Sequence, residues 1–225
     1  MRVLSRSGCA VQVVPNFCCG LPPYSYGDLE TARALARRNI DIFRNVQVEA
    51  IVTDCGSCST HLKEYAHLLG DDPTYTQAAK RFSAKVRDIN QFLVRDVRMK
   101  EPDRRVKAIV TYHDPCHLSR YQGITDEPRA LLQRIPGIAY RELPEADWCC
   151  GAAGTHNVTH CDQSMAVLRR KIERVNSTGA GVVVTSCPSC ILQLRHGARK
   201  MGLALQVKHV TQVLDAVYAE REPQG

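Results

Sequence analysis

The hydrophobic positions along the chain alternate between helical spacing and short continuous runs. Apolar residues recur at intervals of three and four within residues 29–43 and 165–175, and this spacing predicts two amphipathic helices. Each stretch precedes a short apolar run, at residues 50–53 and 181–184, that predicts a buried strand. Helices that alternate with buried strands are typical of an α/β fold with a parallel sheet.

The same pattern predicts further elements. Residues 107–112 predict a third strand, and residues 191–201 and 210–218 predict helices. The apolar positions of residues 79–93 predict one long amphipathic helix that packs in the core. Each predicted strand runs directly into a loop that contains cysteine. The predicted fold class is therefore α/β, with cysteine loops at the carboxyl ends of parallel strands, where such sheets bind ligands.

The cysteine motifs occur twice. In the first copy, a Cys-x-x-Cys motif begins 35 positions after the glycine of a Cys-Cys-Gly motif. In the second copy, this distance is 36 positions. The four motifs are Cys18-Cys19-Gly20, Cys55-Gly56-Ser57-Cys58, Cys149-Cys150-Gly151 and Cys187-Pro188-Ser189-Cys190. This repetition predicts two related units, and the charged stretch around Pro102 marks the boundary between them. The first unit comprises residues 1–102 and the second residues 103–225.

The second unit has one cysteine more than the first. Cys116 follows the predicted strand at 107–112 and lies 33 positions before Cys149. The equivalent position of the first unit would fall before residue 1, so this unit is expected to lack its leading strand and leading cysteine. The chain is accordingly expected to be the carboxyl-terminal part of a longer subunit, from a truncated gene or a split reading frame.

Two cysteines lie outside the repeated motifs. Cys9 aligns with Ile138 of the second unit, which indicates a packing position. Cys161 aligns with Glu30 and has no cysteine partner in the repeat. Both are expected to be free thiols outside the functional site.

Composition narrows the function classes. The 225 residues are 44% hydrophobic and 24% charged, which is typical of a globular protein, and 11 are cysteine. No apolar run suits a membrane span and no secretory signal is recognisable, so the predicted location is the cytoplasm, with the inner face of the membrane as an alternative. The formal net charge of +7 is scattered in short basic groups such as Arg169-Arg170-Lys171. These predict solvated helix faces rather than a nucleic-acid partner.

Clustered cysteines in a reducing compartment are more often metal ligands or redox groups than disulfides. Thiolates favour zinc or iron–sulfur clusters. Structural zinc takes four ligands, usually from two short knuckles, and two adjacent cysteines cannot easily reach one small ion. Five cysteines in the second unit also exceed what zinc needs. The residues therefore favour an iron–sulfur cluster, and zinc remains the alternative.

Other residues near the motifs allow two interpretations. His113 and His117 flank Cys116, and His156 and His160 are four apart in a loop rich in Asn and Thr. Ordinary hydrogen bonding is favoured over cluster contact for both pairs. The motif glycines, Gly20, Gly56 and Gly151, either form simple turns or let backbone amides approach sulfur.

Several stretches resemble a known family. They are residues 63–69 (KEYAHLL), 111–118 (TYHDPCHL), 143–151 (LPEADWCCG) and 157–159 (NVT). Together with the repeated motifs, they resemble the cysteine-rich CCG domain of heterodisulfide reductase B/D subunits. The closest resemblance is to the carboxyl-terminal part of glycolate oxidase iron–sulfur subunits and their lactate-oxidising relatives. Those subunits carry an additional ferredoxin-like module, and its cysteine run does not occur here.

The resemblance implies an oxidoreductase subunit that transfers electrons. It implies a four-iron (4Fe-4S) cluster of a non-cubane type in the second unit, with the ligands Cys116, Cys149, Cys150, Cys187 and Cys190. The partial set of the first unit is Cys18, Cys19, Cys55 and Cys58, and whether it holds a cluster stays open.

The implied partner is a flavoprotein that oxidises a 2-hydroxy acid of the glycolate or lactate type. Whether the electron acceptor is membrane-associated, and whether the isolated chain is active, stay open. Two alternatives remain: disulfide reduction at the cluster, and a non-catalytic interaction module stabilised by zinc.

Overall fold

The computed structural model describes residues 1–97 and 99–218, and within them it contains six strands and thirteen α-helices. The strands are β1 (Ile51–Thr53), β2 (Val86–Asp88), β3 (Ala108–Tyr112), β4 (Ile138–Tyr140), β5 (Val182–Thr185) and β6 (Gln206–His209). The helices are α1 (Arg2–Arg6), α2 (Leu21–Ser25), α3 (Leu29–Arg44), α4 (Gly56–Lys63), α5 (Tyr65–Leu68), α6 (Thr76–Lys85), α7 (Ile89–Gln91), α8 (Cys116–Gln122), α9 (Asp126–Gln133), α10 (His156–Thr159), α11 (Cys161–Ser177), α12 (Pro188–Lys200) and α13 (Val210–Tyr218).

The strands form two parallel sheets. One has the order β4-β3-β5-β6, and the other pairs β1 with β2. The central strands β3 and β5 are hydrophobic and buried, as strands of a parallel sheet covered on both faces must be. The predicted α/β class with parallel strands is confirmed. Among the described residues, no helix has the length and apolar character to cross a membrane.

The predicted helices at 29–43, 165–175, 191–201 and 210–218 correspond to α3, α11, α12 and α13. Asp28 caps α3 by accepting a hydrogen bond from the Thr31 amide at 3.0 Å. Helices α11 and α12 approach closely at Gly197, where a Cβ atom would lie 2.8 Å from the Ile172 side chain. The long helices are therefore fixed by the apolar spacing that predicted them.

The predicted long helix at 79–93 is wrong. Helix α6 ends at Lys85, β2 follows, and the chain continues through α7 into a π-helical turn at Phe92–Asp96. The fully buried Val86 pairs in parallel register with Ile51 of β1. The three residues of β2 lie between α6 and α7, and the apolar positions of the whole segment have the spacing of one continuous helix. Pairing with β1 therefore determines that residues 86–88 form a strand.

Strands β4 and β6 were not predicted. They have three and four residues, which is too short for apolar spacing to distinguish a strand from other structures. Both lie at the edges of the larger sheet. Their pairing with β3 and β5, rather than their own sequence, makes them strands.

One hydrophobic core contains residues from both predicted units. Val3, Ile89 and Leu93 pack with Val110 and Leu214 in this core. Arg2 of α1 also forms an ion pair with Asp215 of α13. The two halves therefore interlock, and the division at residue 102 stays a prediction.

Among the described residues, β1 pairs with β2 alone. A cavity of about 580 Å³ lies between β1 and residues 11–14, and this segment forms no helix or strand. Val13 in that segment is 70% exposed. One edge of β1 therefore has no neighbouring strand.

Candidate metal centre

The cysteine loops lie where strands pass into helices. Cys55 and Cys187 have extended backbones and precede the first residues of α4 and α12. Cys116 is the first residue of α8 and follows β3 by a short loop. Thiols at a helix N-terminus ionise more readily because the helix dipole is positive there. The pKa of Cys187 is lowered, with hydrogen bonding from Cys190 as the main cause, whereas hydrogen bonding to Cys187 raises that of Cys55 and burial raises that of Cys116.

The two Cys-Cys-Gly turns have the same geometry. Gly20 and Gly151 have φ angles of +91° and +89°, which favour glycine. The Gly20 amide donates to Cys18 Sγ at 3.5 Å, and the Gly151 amide donates to Cys149 Sγ at 3.3 Å. Each glycine thus directs its own N–H at the first sulfur of its motif.

The second unit gathers its sulfurs in a buried place. Cys150 Sγ and Cys190 Sγ are 3.5 Å apart, and both side chains are buried. Cys187 is also buried, whereas Cys116 and Cys149 are half-buried at the margin. All five predicted ligands of this unit lie at the carboxyl end of the sheet or in the Cys-Cys-Gly turn.

The first unit places its sulfurs closer to solvent. Cys18 is exposed, Cys55 and Cys58 are half-buried, and Cys19 is buried. Hydrogen bonding from Cys58 is the main cause that lowers the pKa of the Cys19 thiol to about 7. Hydrogen bonding to Cys19, and secondly to Cys55, raises the pKa of the Cys58 thiol well above its ordinary value. The first unit therefore also brings cysteines into direct interaction.

The two sets of cysteines meet, which the sequence did not indicate. Hydrogen bonding to Cys187 is the main cause that raises the pKa of Cys55 to about 12. The Ser57 Oγ atom lies 3.7 Å from Cys187 Sγ, and the Gly56 amide donates to the Ser186 carbonyl at 3.0 Å. The two Cys-x-x-Cys loops thus touch through side chains and backbone.

We call the resulting chain of interacting thiols the thiol row. Its members, in the order in which each shifts the pKa of the next, are Cys19, Cys58, Cys55, Cys187, Cys190, Cys150 and Cys149. The pKa is lowered for Cys19, Cys187 and Cys150, which accept hydrogen bonds from neighbouring thiols, and raised for the other four members. The pKa of Cys187 is lowered, chiefly by Cys190, and that of Cys190 is raised, chiefly by Cys150.

Helices α4 and α8 hold the two loops together. The Thr60 hydroxyl donates to the His117 carbonyl at 2.8 Å. The Gln122 amide donates to the Ser59 and Thr60 hydroxyl oxygens at 2.7 and 2.9 Å. Loops from both units are therefore fixed relative to one another by hydrogen bonds outside the thiol row.

The donor set fits an iron–sulfur group. Seven interacting thiols cannot all ionise without cations, because neighbouring thiolates repel each other. A soft metal replaces the protons that the thiols share and binds the sulfurs as thiolates. Within the described residues, the closest group of such donor atoms is His113, Cys150 and Cys190, which lies inside this row. The assignment of individual ligands stays a prediction.

The remaining predicted residues lie outside the thiol row. Cys9 is half-buried and burial raises the pKa of its thiol, whereas Cys161 is exposed at the start of α11. The histidine pair His156 and His160 was expected in a loop, but His156 begins the short helix α10. The two imidazole rings stack with centroids 4.7 Å apart. His117 lies closer to a predicted ligand, with Nδ1 3.5 Å from Cys116 Sγ.

Lys171 was wrongly expected on a solvated helix face. It is fully buried on α11, and its ammonium group donates to the carbonyls of Glu145 and Ala146. These carbonyls belong to the segment that leads into Cys149. Burial lowers the pKa of Lys171 to about 8. Its neighbours in the basic run are exposed, so the sequence carries no signal that separates it from them.

The buried His61 makes stability depend on pH. Desolvation lowers its pKa to about 4, and a charged His117 would lower it further. The unfolded chain therefore binds the proton first, and stability is lost as pH falls below about 6.5. Between pH 7.5 and 5.5 we expect His61 to reduce the free energy of unfolding by about 1 kcal/mol.

Urea unfolding of the wild type and H61Q at the two pH values measures this loss. The pH-dependent change should be smaller in H61Q, while other buried groups contribute equally to both proteins. H160Q, at an exposed histidine, controls for the loss of an imidazole. Identical pH dependence in H61Q and the wild type would contradict the prediction.

The chain is similar to known proteins over most of its length. A family model described as the cysteine-rich domain CCG matches residues 1–63 and 110–195. The probable glycolate oxidase iron-sulfur subunit of Bacillus subtilis (strain 168) is 36% identical over 212 residues. Lactate utilization protein A of Bacillus thuringiensis (strain Al Hakam) and that of Bacillus cereus (strain AH187) are each 31% identical over 217 residues.

The coverage of these relatives differs. The alignment includes 93% of this chain and 48% of the Bacillus subtilis protein, so the chain spans about half of that relative's length. It includes 96% of this chain and 90% of each lactate utilization protein. The matched family segments contain all nine cysteines predicted as ligands.

Proposed function

Because this chain belongs to the cysteine-rich CCG domain family, we propose that it is an iron–sulfur electron-transfer subunit of a 2-hydroxy-acid oxidase or dehydrogenase. Its relatives are named for glycolate oxidase and for lactate utilization, and both names refer to 2-hydroxy acids. The chain is accordingly proposed to work within an oxidoreductase system and not to act on the acid itself.

The thiol row is the observation that carries this proposal. A structural zinc site is satisfied by four ligands, whereas seven thiols interact here and two more cysteines lie in the same loops. Contacts of Ser57 with Cys187 and of Gly56 with Ser186 join the loops of the two units in one continuous site. Such continuity suits electron transfer between two groups better than it suits two independent structural ions.

Named residues would hold the iron–sulfur group. The proposed ligands in the second unit are Cys116, Cys149, Cys150, Cys187 and Cys190, and those in the first are Cys18, Cys19, Cys55 and Cys58. The group would supply acceptance and release of single electrons. The amides of Gly20 and Gly151 donate to ligand sulfurs, and hydrogen bonds to sulfur together with burial set the reduction potential.

The proposed partner is a flavoprotein. Oxidation of a 2-hydroxy acid releases two electrons, and a flavin can accept both and pass them on singly. Cys18 of the first unit, next to the Cys19 end of the thiol row, is exposed, so the first unit offers the shorter approach for a partner. The cytoplasm is the proposed location because reducing conditions there keep the thiols available.

Anaerobic purification tests the metal assignment. Iron, acid-labile sulfide and zinc are measured per chain, and electron paramagnetic resonance (EPR) spectra are recorded before and after reduction. We expect iron and sulfide in equal amounts and a paramagnetic signal in one oxidation state. About one zinc per chain without sulfide would contradict the proposal and favour the zinc-stabilised module. Co-purification of a flavoprotein would support the proposed partner.

A further inference from the structure

His113 occupies a fixed place at the end of β3. Its amide donates to the Val184 carbonyl of β5 at 2.9 Å, and the next amide, of Asp114, donates to the Ala146 carbonyl at 3.1 Å. Asp114 in turn forms an ion pair with Arg129 at 2.9 Å. The backbone at His113 is therefore held by the sheet on one side and by the segment leading to Cys149 on the other.

The side chain of His113 is buried without a partner. It is 1% exposed, and neither Nδ1 nor Nε2 has a hydrogen-bond partner in the structure. A buried polar atom without a partner costs about 1–3 kcal/mol, and here two such atoms share one ring. By contrast, the buried His209 satisfies its Nδ1 with the Thr211 hydroxyl at 2.7 Å. The imidazole of His113 therefore has no nitrogen or oxygen partner among the described residues, and the group it interacts with is the sulfur of Cys150.

The ligand atoms nearest to His113 are sulfurs. A ring nitrogen of His113, Cys150 Sγ and Cys190 Sγ all lie within 4.8 Å of one another, and all three residues are buried. Ligands on one metal ion with bonds of about 2.0–2.3 Å are separated by about 3.5 Å. The two sulfurs already have this separation, at 3.5 Å. The two sulfurs thus have the spacing of ligands around one metal ion, and the imidazole nitrogen lies within 4.8 Å of both.

We propose that His113 is a nitrogen ligand of the metal group in the second unit, so that this group is bound by imidazole as well as thiolate. The inference deepens the proposed function and rests on it where the metal is iron. One ring nitrogen would bind the metal, so that one of the two nitrogens without a hydrogen-bond partner would gain a partner. Imidazole in place of thiolate raises the reduction potential of an iron–sulfur group, because it adds no negative charge.

Pulsed EPR tests this proposal in the full chain, purified anaerobically. The wild type is compared with protein that carries ¹⁵N-histidine and with H113Q and H113C. We expect a strong coupling from a directly bound histidine nitrogen, which changes with the isotope and disappears in H113Q. H113C should retain its iron, because thiolate can replace imidazole, and its reduction potential should be lower than that of the wild type.

H117Q is the matched control, because His117 lies beside another predicted ligand, Cys116. It should keep the nitrogen coupling. A paramagnetic cluster without strong histidine coupling, or coupling lost in H117Q and kept in H113Q, would overturn the ligand assignment while leaving the proposed function intact.

If the chain binds zinc, the proposed function fails, and X-ray absorption at the zinc edge still tests His113. A nitrogen neighbour in the wild type that is replaced by sulfur in H113C would support ligation. A shell of sulfur alone in the wild type would overturn it.

Discussion

Replacing Cys190 with serine is expected to remove most of the metal bound by the second unit. Cys190 lies between Cys150, 3.5 Å away, and Cys187 in the thiol row, and it is buried. Serine substitutes a hard oxygen for a soft sulfur and cannot bridge those neighbours. We expect iron and sulfide of that unit to fall at least about tenfold, since even residues that only support ligands change affinity by this factor.

Metal and sulfide analysis with visible absorption measures the loss. C161S is the control, because Cys161 is exposed and outside the thiol row. It should match the wild type, and circular dichroism should show that both variants fold. Full iron content in C190S, or loss of visible absorption in C161S, would contradict the assignment of Cys190 as a ligand and of Cys161 as a free thiol.

Replacing Gly151 with alanine is expected to destabilise the fold by about 3 kcal/mol or more. The φ angle of +89° disfavours any side chain, and this alone costs about 1–3 kcal/mol. A Cβ atom would also lie 2.5 Å from the carbonyl oxygen of Ser164, which is backbone of α11 and cannot turn aside. The turn must then move away from α11, and Cys149 and Cys150 move with it.

G154A separates the two causes. Gly154 also has a positive φ, +67°, but nothing lies within 4 Å of its Cβ position. We expect this variant to lose only about 1 kcal/mol. Urea unfolding under anaerobic conditions measures both variants. Equal losses in G151A and G154A would show that contact with α11 is unimportant.

Much of the fold follows from local patterns. Helices α3, α11, α12 and α13 have enough turns for the apolar spacing to identify them. Strands β1, β3 and β5 are short buried runs that end at cysteine loops, so their type and their parallel pairing were predictable. The repeated Cys-Cys-Gly and Cys-x-x-Cys motifs likewise identified the residues that form the candidate site.

What could not be predicted depends on contacts between distant segments. The apolar residues around β2 have the spacing of a helix, and only the pairing of Val86 with Ile51 makes this segment a strand. The two Cys-x-x-Cys loops meet through Ser57 and Cys187, whereas the repeat suggested separate sites. Lys171 became notable only through burial, and His113, for which ordinary hydrogen bonding was expected, is instead buried with neither ring nitrogen hydrogen-bonded. The sequence shows which residue types occur, whereas burial without a partner is a property of the assembled structure.

The free edge of β1 has a consequence for association between chains. Strands at the edge of a sheet carry unpaired N–H and C=O groups that bind any extended segment nearby, and proteins commonly protect such edges with charge. Here the neighbouring residues 11–14 include exposed Val13, and Asp54 is the acidic residue that immediately follows β1. A carboxylate at this position disfavours edge-to-edge pairing between two copies of the chain, as charged residues at sheet edges do.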